Sequence, residues 1–503
     1  MKSNIIKSSF IVVVLSLIAK VIGLGKTIVQ SSYFGATIST DAFNIANGFV
    51  GDIFFMLSTA VAVAFVPLYI QKKQDGNEYE FASETISLLS VFSIIVTIIA
   101  ILISPDIIKL IAPGFQKEER GLATDFLRVI CISFIFSIGT NLYTNLLNAE
   151  KKYGYSTFCS IINSLVLIVG IPLFGKVLGT WVLAISVPVS YIIQLVVLYI
   201  PGKKYAKISL RVCRLNDSIK LLVKQSFPIL LGQATVEINQ MIDRALLSSV
   251  GEGVLTAVSY SSVLYQFAST LINMPIQTVM FTELSEAGAK KDYKRLSSLL
   301  MSCYKVSVIV CIPVMLTISI TSIDIVEMIL GHGSFNGKAI DNCALGLVLY
   351  GLCLWPVCVK TILTRAYYAL NDTKRPMIIG TMEVILNTVM SIVTASRYGV
   401  KGIVGSTAFA SFVFIIVMLI DFNRHHVNIL NKDNVKGTWK YIFGIMICCV
   451  ISYGFKNIFL MNYFVDFLIK AFVNVGLFFA TLLALKDETI LYLLRYLNRT
   501  GRR

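Results

Sequence analysis

Residues 92–103 read FSIIVTIIAILI, and residues 161–174 read IINSLVLIVGIPLF. Neither stretch carries a charge, and each runs on into further apolar sequence, reaching or chaining into the ~20 residues that cross a bilayer core. In lipid no water is available to the backbone amides, so only helices or a closed barrel can span. Barrel strands would alternate apolar and polar positions over ~10 residues, and these blocks do not. They predict transmembrane helices, and the chain is read as an all-α polytopic membrane protein.

The whole composition agrees. Of 503 residues, 56% are hydrophobic and 14% charged, and the mean hydropathy is +0.77; a soluble chain carries roughly a quarter charged residues. The pattern predicts about fourteen spans, at 9–35, 40–70, 80–104, 121–147, 155–175, 178–200, 222–249, 254–284, 297–322, 341–370, 376–396, 401–422, 438–459 and 463–485. The net charge of +16 would raise the question of nucleic acid in a soluble protein. Here it sorts by side. One side holds Lys72/Lys73, Lys151/Lys152, the run from Lys203 to Arg214, Lys290/Lys291/Lys294/Arg295, Lys374/Arg375, Arg424 to Lys440 and both termini. The other holds Lys109, Lys117, Arg120, Lys176, Lys338, Arg397, Lys401 and Lys456. The positive-inside rule then places both termini in the cytoplasm. The charge expresses topology, and no nucleic-acid partner is expected.

Lys2 and Lys7 precede an apolar run, as in a signal peptide, but the run is too long and no A-x-A-like site follows, so it is read as an uncleaved first span. Ten cysteines are scattered without a C-x-x-C pair, which gives no support to a disulfide framework or a metal site. The three histidines, His332, His425 and His426, fall in predicted loops. No G-x-S-x-G, H-E-x-x-H or dinucleotide fingerprint occurs. Gly25-Lys26-Thr27 imitates the end of a P-loop, but the required first glycine is Lys20. A transporter is expected, not an enzyme.

An internal repeat organises the chain. Residues 146–169 (LLNAEKKYGYSTFCSIINSLVLIV) match 367–393 (YYALNDTKRPMIIGTMEVILNTVMSIV), with Asn163 set against Asn387, Gly179 against Gly402 and Ala184 against Ala408. The expected offset is about 224 residues, or six spans, an even number that leaves both copies with one orientation. The expected divisions are an N-terminal lobe over 1–214, a C-terminal lobe over 215–430, and two extra spans with a basic tail over 431–503, with a substrate path between the lobes.

Charges inside spans are the candidate functional residues, since each costs ~2.5–3.5 kcal/mol near the bilayer centre on insertion scales. Lys20 lies ~17 Å along the first span. Lys26 follows, with Gly23 and Gly25 between them able to permit a bend. Asp41 and Asp52 lie in the second span, Glu237, Asp243 and Arg244 in the seventh, Lys360 and Arg365 in the tenth, and Glu383 with Asn387 in the eleventh. Each also has a plainer reading. Asp41 follows Ser39-Thr40 and can cap a helix, Asp243 and Arg244 can serve an ion network, and Arg365 can snorkel. Lys20, Lys26, Asp41, Arg244, Lys360 and Arg365 are taken as candidate substrate-binding residues. Glu237, Asp243, Glu383 and Asn387 are taken as candidates for coupling to a monovalent cation. No other cofactor or metal is expected.

The segments LIAKVIGLGKTIVQSSYFGATISTDAF (17–43), AFVPLY (64–69), LIAPGF (110–115), NLLNAEKKY (145–153) and TRAYYALNDTKRP (364–376) resemble those of the MurJ/MviN family. These are lipid II flippases of the multidrug/oligosaccharidyl-lipid/polysaccharide exporter superfamily. The resemblance runs from the first span to the twelfth. It implies fourteen spans, export of an undecaprenyl-diphosphate-linked saccharide, and a groove for the lipid tail beside the two extra helices. The family's two cationic positions in the first span are Lys20 and Lys26 here, its adjacent acid is Thr27, and its Thr-Asp-Ala-Phe is intact as Thr40 to Phe43. Its paired arginines of the second span fall on apolar residues around Ile53 to Phe55, and its eighth-span arginine falls on Val263. Lysine lacks the bidentate fork of arginine. The expected mechanism is alternating access in the bacterial cytoplasmic membrane, with the diphosphate held by Lys20 and Lys26 and with Lys360 or Arg244 as further contacts. A flippase for another polyprenyl-linked saccharide, a drug/cation antiporter and a non-transporting scaffold remain open alternatives; the oligomeric state is not readable.

Overall fold

The computed structural model describes residues 2–208, 216–429, 437–455 and 462–491. The expected divisions at 214/215 and 430/431 lie outside these residues, as do Lys456 and the tail beyond 491. No strand occurs among the described residues. The helices are α1 (Lys2–Phe34), α2 (Ile38–Phe49), α3 (Phe55–Gln74), α4 (Glu78–Leu102), α5 (Ser104–Ile111), α6 (Lys117–Cys131), α7 (Ser133–Ala149), α8 (Tyr153–Leu178), α9 (Trp181–Gly202), α10 (Asp217–Leu247), α11 (Val254–Ala289), α12 (Tyr293–Leu330), α13 (Lys338–Gly351), α14 (Leu354–Ala369), α15 (Lys374–Tyr398), α16 (Val400–His425), α17 (Thr438–Phe455) and α18 (Tyr463–Ala484).

Each of the expected spans falls on one helix or on a broken pair. Among the described residues nine are long and apolar enough to cross a membrane, or ten if α6 and α7, bent by 40°, count as one. This is a multi-pass membrane protein. The helices outside that set include α10, which carries Lys220, Lys224, Glu237, Asp243 and Arg244.

The chain divides into two compact units. The first comprises Met1–Thr256 with Gly333–Asn336, the second Ala257–His332 with Gly337–Arg503. In the first unit, α1 packs along α8, α8 on α9, and α3 on α7 and α10. Among the buried residues of α2 and α3 many are small: Ala42, Ala46, Gly48, Ser58, Ala60, Ala62 and Ala64, beside larger ones such as Phe43 and Phe65. Lipid tails are as apolar as leucine, so helices in a membrane gain by close approach, and small residues allow it. In the second unit, α15 pairs with α16, and α12 is the hub for α13, α14, α17 and α18.

Turns reveal how the repeat is built. On the side of the basic loops, α3, α7, α11, α14 and α18 end alike, with a left-handed residue after the last turn: Gly76, Lys151, Lys291, Asn371 and Lys486, at φ between 49° and 74°. The following amide reaches back to a carbonyl five residues earlier, as in Asp292 to Ala287 and Asp372 to Tyr367 at 3.0 Å. That bond satisfies helix-end carbonyls that would otherwise have no partner. On the opposite side, α8 ends at Gly179 (φ 55°, ψ −140°) and α15 at Gly399 (φ 52°, ψ −128°), a region essentially closed to residues with a Cβ.

These landmarks correct the register read from sequence. Lys151 and Asn371, the α6/α7 and α13/α14 breaks at Ile132 and Leu352, and Gly179 and Gly399 are each 220 residues apart. Asn163 therefore corresponds to Glu383, one turn before Asn387. Both answer to a serine on the next helix: Asn163 Nδ2 donates to Ser190 Oγ at 3.3 Å, and Ser411 Oγ donates to Glu383 Oε1 at 3.3 Å. Asparagine-to-asparagine matching had outweighed helix length in the sequence alignment.

Candidate substrate-translocation site

The first unit holds most of the expected cationic site. α1 runs unbroken through Gly23 and Gly25. Lys20 is exposed and Lys26 half-buried, and among the described residues neither is in an ion pair. A Cβ at Gly23 would meet nothing within 4 Å, and one at Gly25 only Ile168. The stretch between the two lysines is thus sterically open. Thr27, at the family's acidic position, is buried and donates to Gly23 O at 3.2 Å.

α2 begins with its own cap, Thr37, in a reciprocal pair with Thr40. Asp41 is therefore free for another helix. Its carboxylate, 2% exposed, accepts from Gly253 N at 2.7 Å, Thr256 N at 2.8 Å and Thr256 Oγ1 at 2.6 Å. It caps the start of α11, where unpaired amides and the positive helix end attract a carboxylate. Asn44 Nδ2 adds a bond to Thr256 Oγ1 at 2.9 Å. Gly253 (φ 72°) approaches Ala36 too closely for a side chain. Residues Gly333–Asn336 close over the end of α1, where Ser334 N donates to Ser32 O at 2.8 Å. Within the first unit, the end of α1 and the turn before α11 are thus held by backbone-to-backbone fit.

Between α2 and α3, Val50–Phe54 forms a π-helical turn. Such bulges gather at functional positions. This one presents Asp52, which is ion-paired with Arg244 of α10 beside Gly48. Arg244 is therefore bound to a carboxylate. Asp243 is approached by Asn239 at 3.5 Å, and Glu237 by Gln240 at 3.4 Å.

In the second unit, Lys360 Nζ holds both oxygens of Glu383 at 3.0 and 2.9 Å. Asn387 Oδ1 accepts from Ser406 Oγ at 2.8 Å and Ser391 Oγ at 3.3 Å. Half-buried Lys360 and buried Glu383 and Asn387 thus form one polar seam along α14, α15 and α16, while Arg365 is exposed near the basic end of α14. An apolar cavity of ≈ 450 Å³ lies between α12, α14, α16 and α17, lined among others by Tyr304, Met315, Trp355, Phe412 and Tyr441. The Trp355 indole nitrogen is buried there without a hydrogen-bond partner among the described residues.

The family model for the lipid II flippase MurJ matches residues 30–474. The chain belongs to the MurJ family. It is 25% identical to the "Probable lipid II flippase MurJ" of Rickettsia prowazekii, across 96% of this chain and 98% of that one. It is 22% identical to the "Lipid II flippase MurJ" of Burkholderia cenocepacia across 80% of each. Among solved structures, a lipid II flippase MurJ in an inward closed conformation superposes with a TM-score of 0.82 at 21% identity, covering 95% of this chain and 99% of that one. An inward-facing MATE family transporter of the MOP superfamily gives 0.63 at 14% identity, covering 81% and 94%.

Within this MurJ family member, sequence reasoning missed three features. Lys305, half-buried on α12, is a further in-span cation without an ion pair among the described residues; it lies close enough to the basic end to snorkel. Trp355 offered no signal, since indole is common in apolar helices. Asp466 and Lys470, one turn apart in the last span, did offer one, because an intramembrane charge is rarely idle.

Proposed function

We infer that this MurJ family member exports lipid II, the undecaprenyl-diphosphate-linked peptidoglycan precursor, across the bacterial cytoplasmic membrane by alternating access. The observation that carries the reading is the state of the α1 lysines. Arg244, Lys360 and Lys470 each hold a carboxylate, whereas Lys20 and Lys26 hold none among the described residues. Two such ammonium groups, one exposed and one half-buried, on a sterically open face suit a diphosphate, which supplies the missing negative charge. The basic loops, and with them both termini, are on the cytoplasmic side by the positive-inside rule. On this reading the contacts around Asp41, at the end away from the basic loops, serve as the outer gate, or seal. A membrane potential negative inside favours outward movement of a diphosphate by ~2.3 kcal/mol per charge per 100 mV.

The apolar cavity against α17 takes part of the polyprenyl tail. Its volume falls in the range of ligand sites. Glu383 already pairs with Lys360 and Asn387 is engaged by serines, so Glu237 of α10 is the better candidate for a coupling cation.

A second reading, another polyprenyl-linked saccharide, is favoured by the apolar residues Ile53–Phe55 and Val263 at positions where the resemblance implies arginines. Purified protein in vesicles, given lipid II and a capsule-type polyprenyl-diphosphate saccharide in separate reactions, separates the two. Preferential flipping of lipid II supports the first reading, and flipping of the second lipid alone replaces it.

A further inference from the structure

α12 breaks at Thr321 (φ −113°, ψ 17°), and the earlier repeat breaks between α4 and α5 at Ile103 (φ −92°, ψ 8°), 218 residues before. Each break is followed three residues on by an aspartate. Their surroundings differ. Asp106 of α5 is exposed and has no ion pair among the described residues. Asp324 of α12 is 8% exposed, and its Oδ2 lies 3.1 Å from Lys470 Nζ of α18. Lys470 also lies 3.0 Å from Asp466 Oδ2, one turn earlier on its own helix. Asn474, one turn later, donates to Thr317 Oγ1 at 3.3 Å.

The buried residues of α18 are Asp466, Lys470, Asn474, Phe478 and Leu482, a single line at four-residue spacing. Its inner part, Phe478 and Leu482, joins Val308, Ile312 and Tyr441 in an apolar cluster. Such packing has little directional preference in lipid. The outer part is polar and straddles the α12 break. Buried ion pairs contribute little net stability but fix register, and removing one partner leaves the other uncompensated.

We propose that α18 is a clamp on the outer segment of α12, with Lys470 as its positioning residue. It holds Ser322–Leu330 still. The counterpart segment Ser104–Ile111 in the first unit is tied to α6 by Arg128 Nε, which donates to Ser104 Oγ at 3.1 Å, but by no buried ion pair among the described residues, and it moves more readily as the outer side opens. The two added helices thereby make two related halves mechanically unequal. This device is independent of which lipid-linked saccharide is carried.

Hydrogen exchange measured by mass spectrometry on the full chain in lipid nanodiscs tests it. In the unaltered protein, amides of 104–111 exchange faster than those of 322–330. Lys470→Met raises exchange in 322–330 by about a hundredfold and leaves 104–111 unchanged. Asp466→Asn, which removes the excess negative charge but keeps the Lys470–Asp324 pair, gives no rise. The exchanged pair Asp324→Lys with Lys470→Asp restores protection, which a purely steric role for Lys470 would not allow. If Lys470→Met does not fold, Asp324→Asn reads the same contact, with a rise of about tenfold. Equal exchange in the two segments, no rise in a folded Lys470→Met or Asp324→Asn protein, or failure of the exchanged pair to restore protection overturns the clamp.

Discussion

Asp41 offers the sharpest perturbation of the transport cycle. Its carboxylate accepts three bonds from Gly253 and Thr256, at 2.6 to 2.8 Å, in a site 2% exposed. Hydrogen bonds to a charged group are worth about 1.5–3 kcal/mol each. The three share one carboxylate, and water can reach the freed amides once the seal opens, so they do not add fully. A total of about 3–4 kcal/mol is reasonable, or a factor of about 10²–10³ in the equilibrium between sealed and open outer ends. Asp41→Ala should convert a sealed population into one with a large open fraction, whereas Asp41→Asn, which keeps one acceptor oxygen, should shift it less. Spin labels at Ser39 and Glu252, at the starts of α2 and α11, report the change as a second, longer distance in double electron–electron resonance. A folded Asp41→Ala protein with an unchanged distance distribution would refute the gate assignment. The Asp52–Arg244 pair lies deeper in the same unit, so Arg244→Met should shift the distribution further in the Asp41→Ala background.

Replacing Lys20 and Lys26 together by alanine should slow flipping in reconstituted vesicles by about tenfold to a hundredfold, and arginine at both positions should retain it; an undiminished rate in the alanine protein removes the cationic site. Gly179→Ala and Gly399→Ala should each lower thermal stability by about 1–3 kcal/mol, whereas Gly380→Ala, mid-helix in open space, should gain roughly 0.5–1 kcal/mol; equal melting shifts at all three would contradict the turn argument. Partial burial of Asp372 pushes its carboxyl up, but the Arg375 amide, His426 and the Arg375 guanidinium outweigh this and hold it below the ordinary carboxylate range. The stability it contributes is therefore complete above about pH 4 and lost as pH falls further through its lowered value. Asp372→Asn should lower the melting temperature at pH 7 and abolish that acid-dependent portion; an identical acid profile in the variant would exclude the contribution.

Span positions were legible because a run such as 92–103 admits one structure in lipid. The lysines of α1 were legible for the same reason, since an ammonium in such a run demands an explanation. Partnership was not legible. Asp41 sits beside Ser39 and Thr40, which suggests a cap on its own helix or a substrate-binding role, but the helix it caps begins some 210 residues later in sequence, at Val254. Lys360 and Glu383 were read as having separate tasks, yet helix packing brings them to 2.9 Å. The repeat was visible, but its register was not. Basic pairs after α7 and α14 align well by residue type, while turn conformation at Lys151 and Asn371 fixes a different offset.

The ion pairs sort the in-span charges by what each could still do. An ammonium already shared with buried carboxylates, as at Lys470, has had its desolvation offset within the fold, and to bind a phosphate it would first have to leave its partners uncompensated at about 3–5 kcal/mol. Lys360, more exposed, would have to leave Glu383 at a smaller cost. Such residues fix helix positions. Lys20 and Lys26 face no such obstacle, because among the described residues no carboxylate holds them. An arriving diphosphate gains their attraction without breaking an existing pair. On the proposed function, two lysines hold the diphosphate as charge more than as shape, because lysine lacks the bidentate fork of arginine. A site of that kind releases its ligand readily once the outer seal opens. It also leaves discrimination among lipid-linked saccharides to residues that contact the sugar.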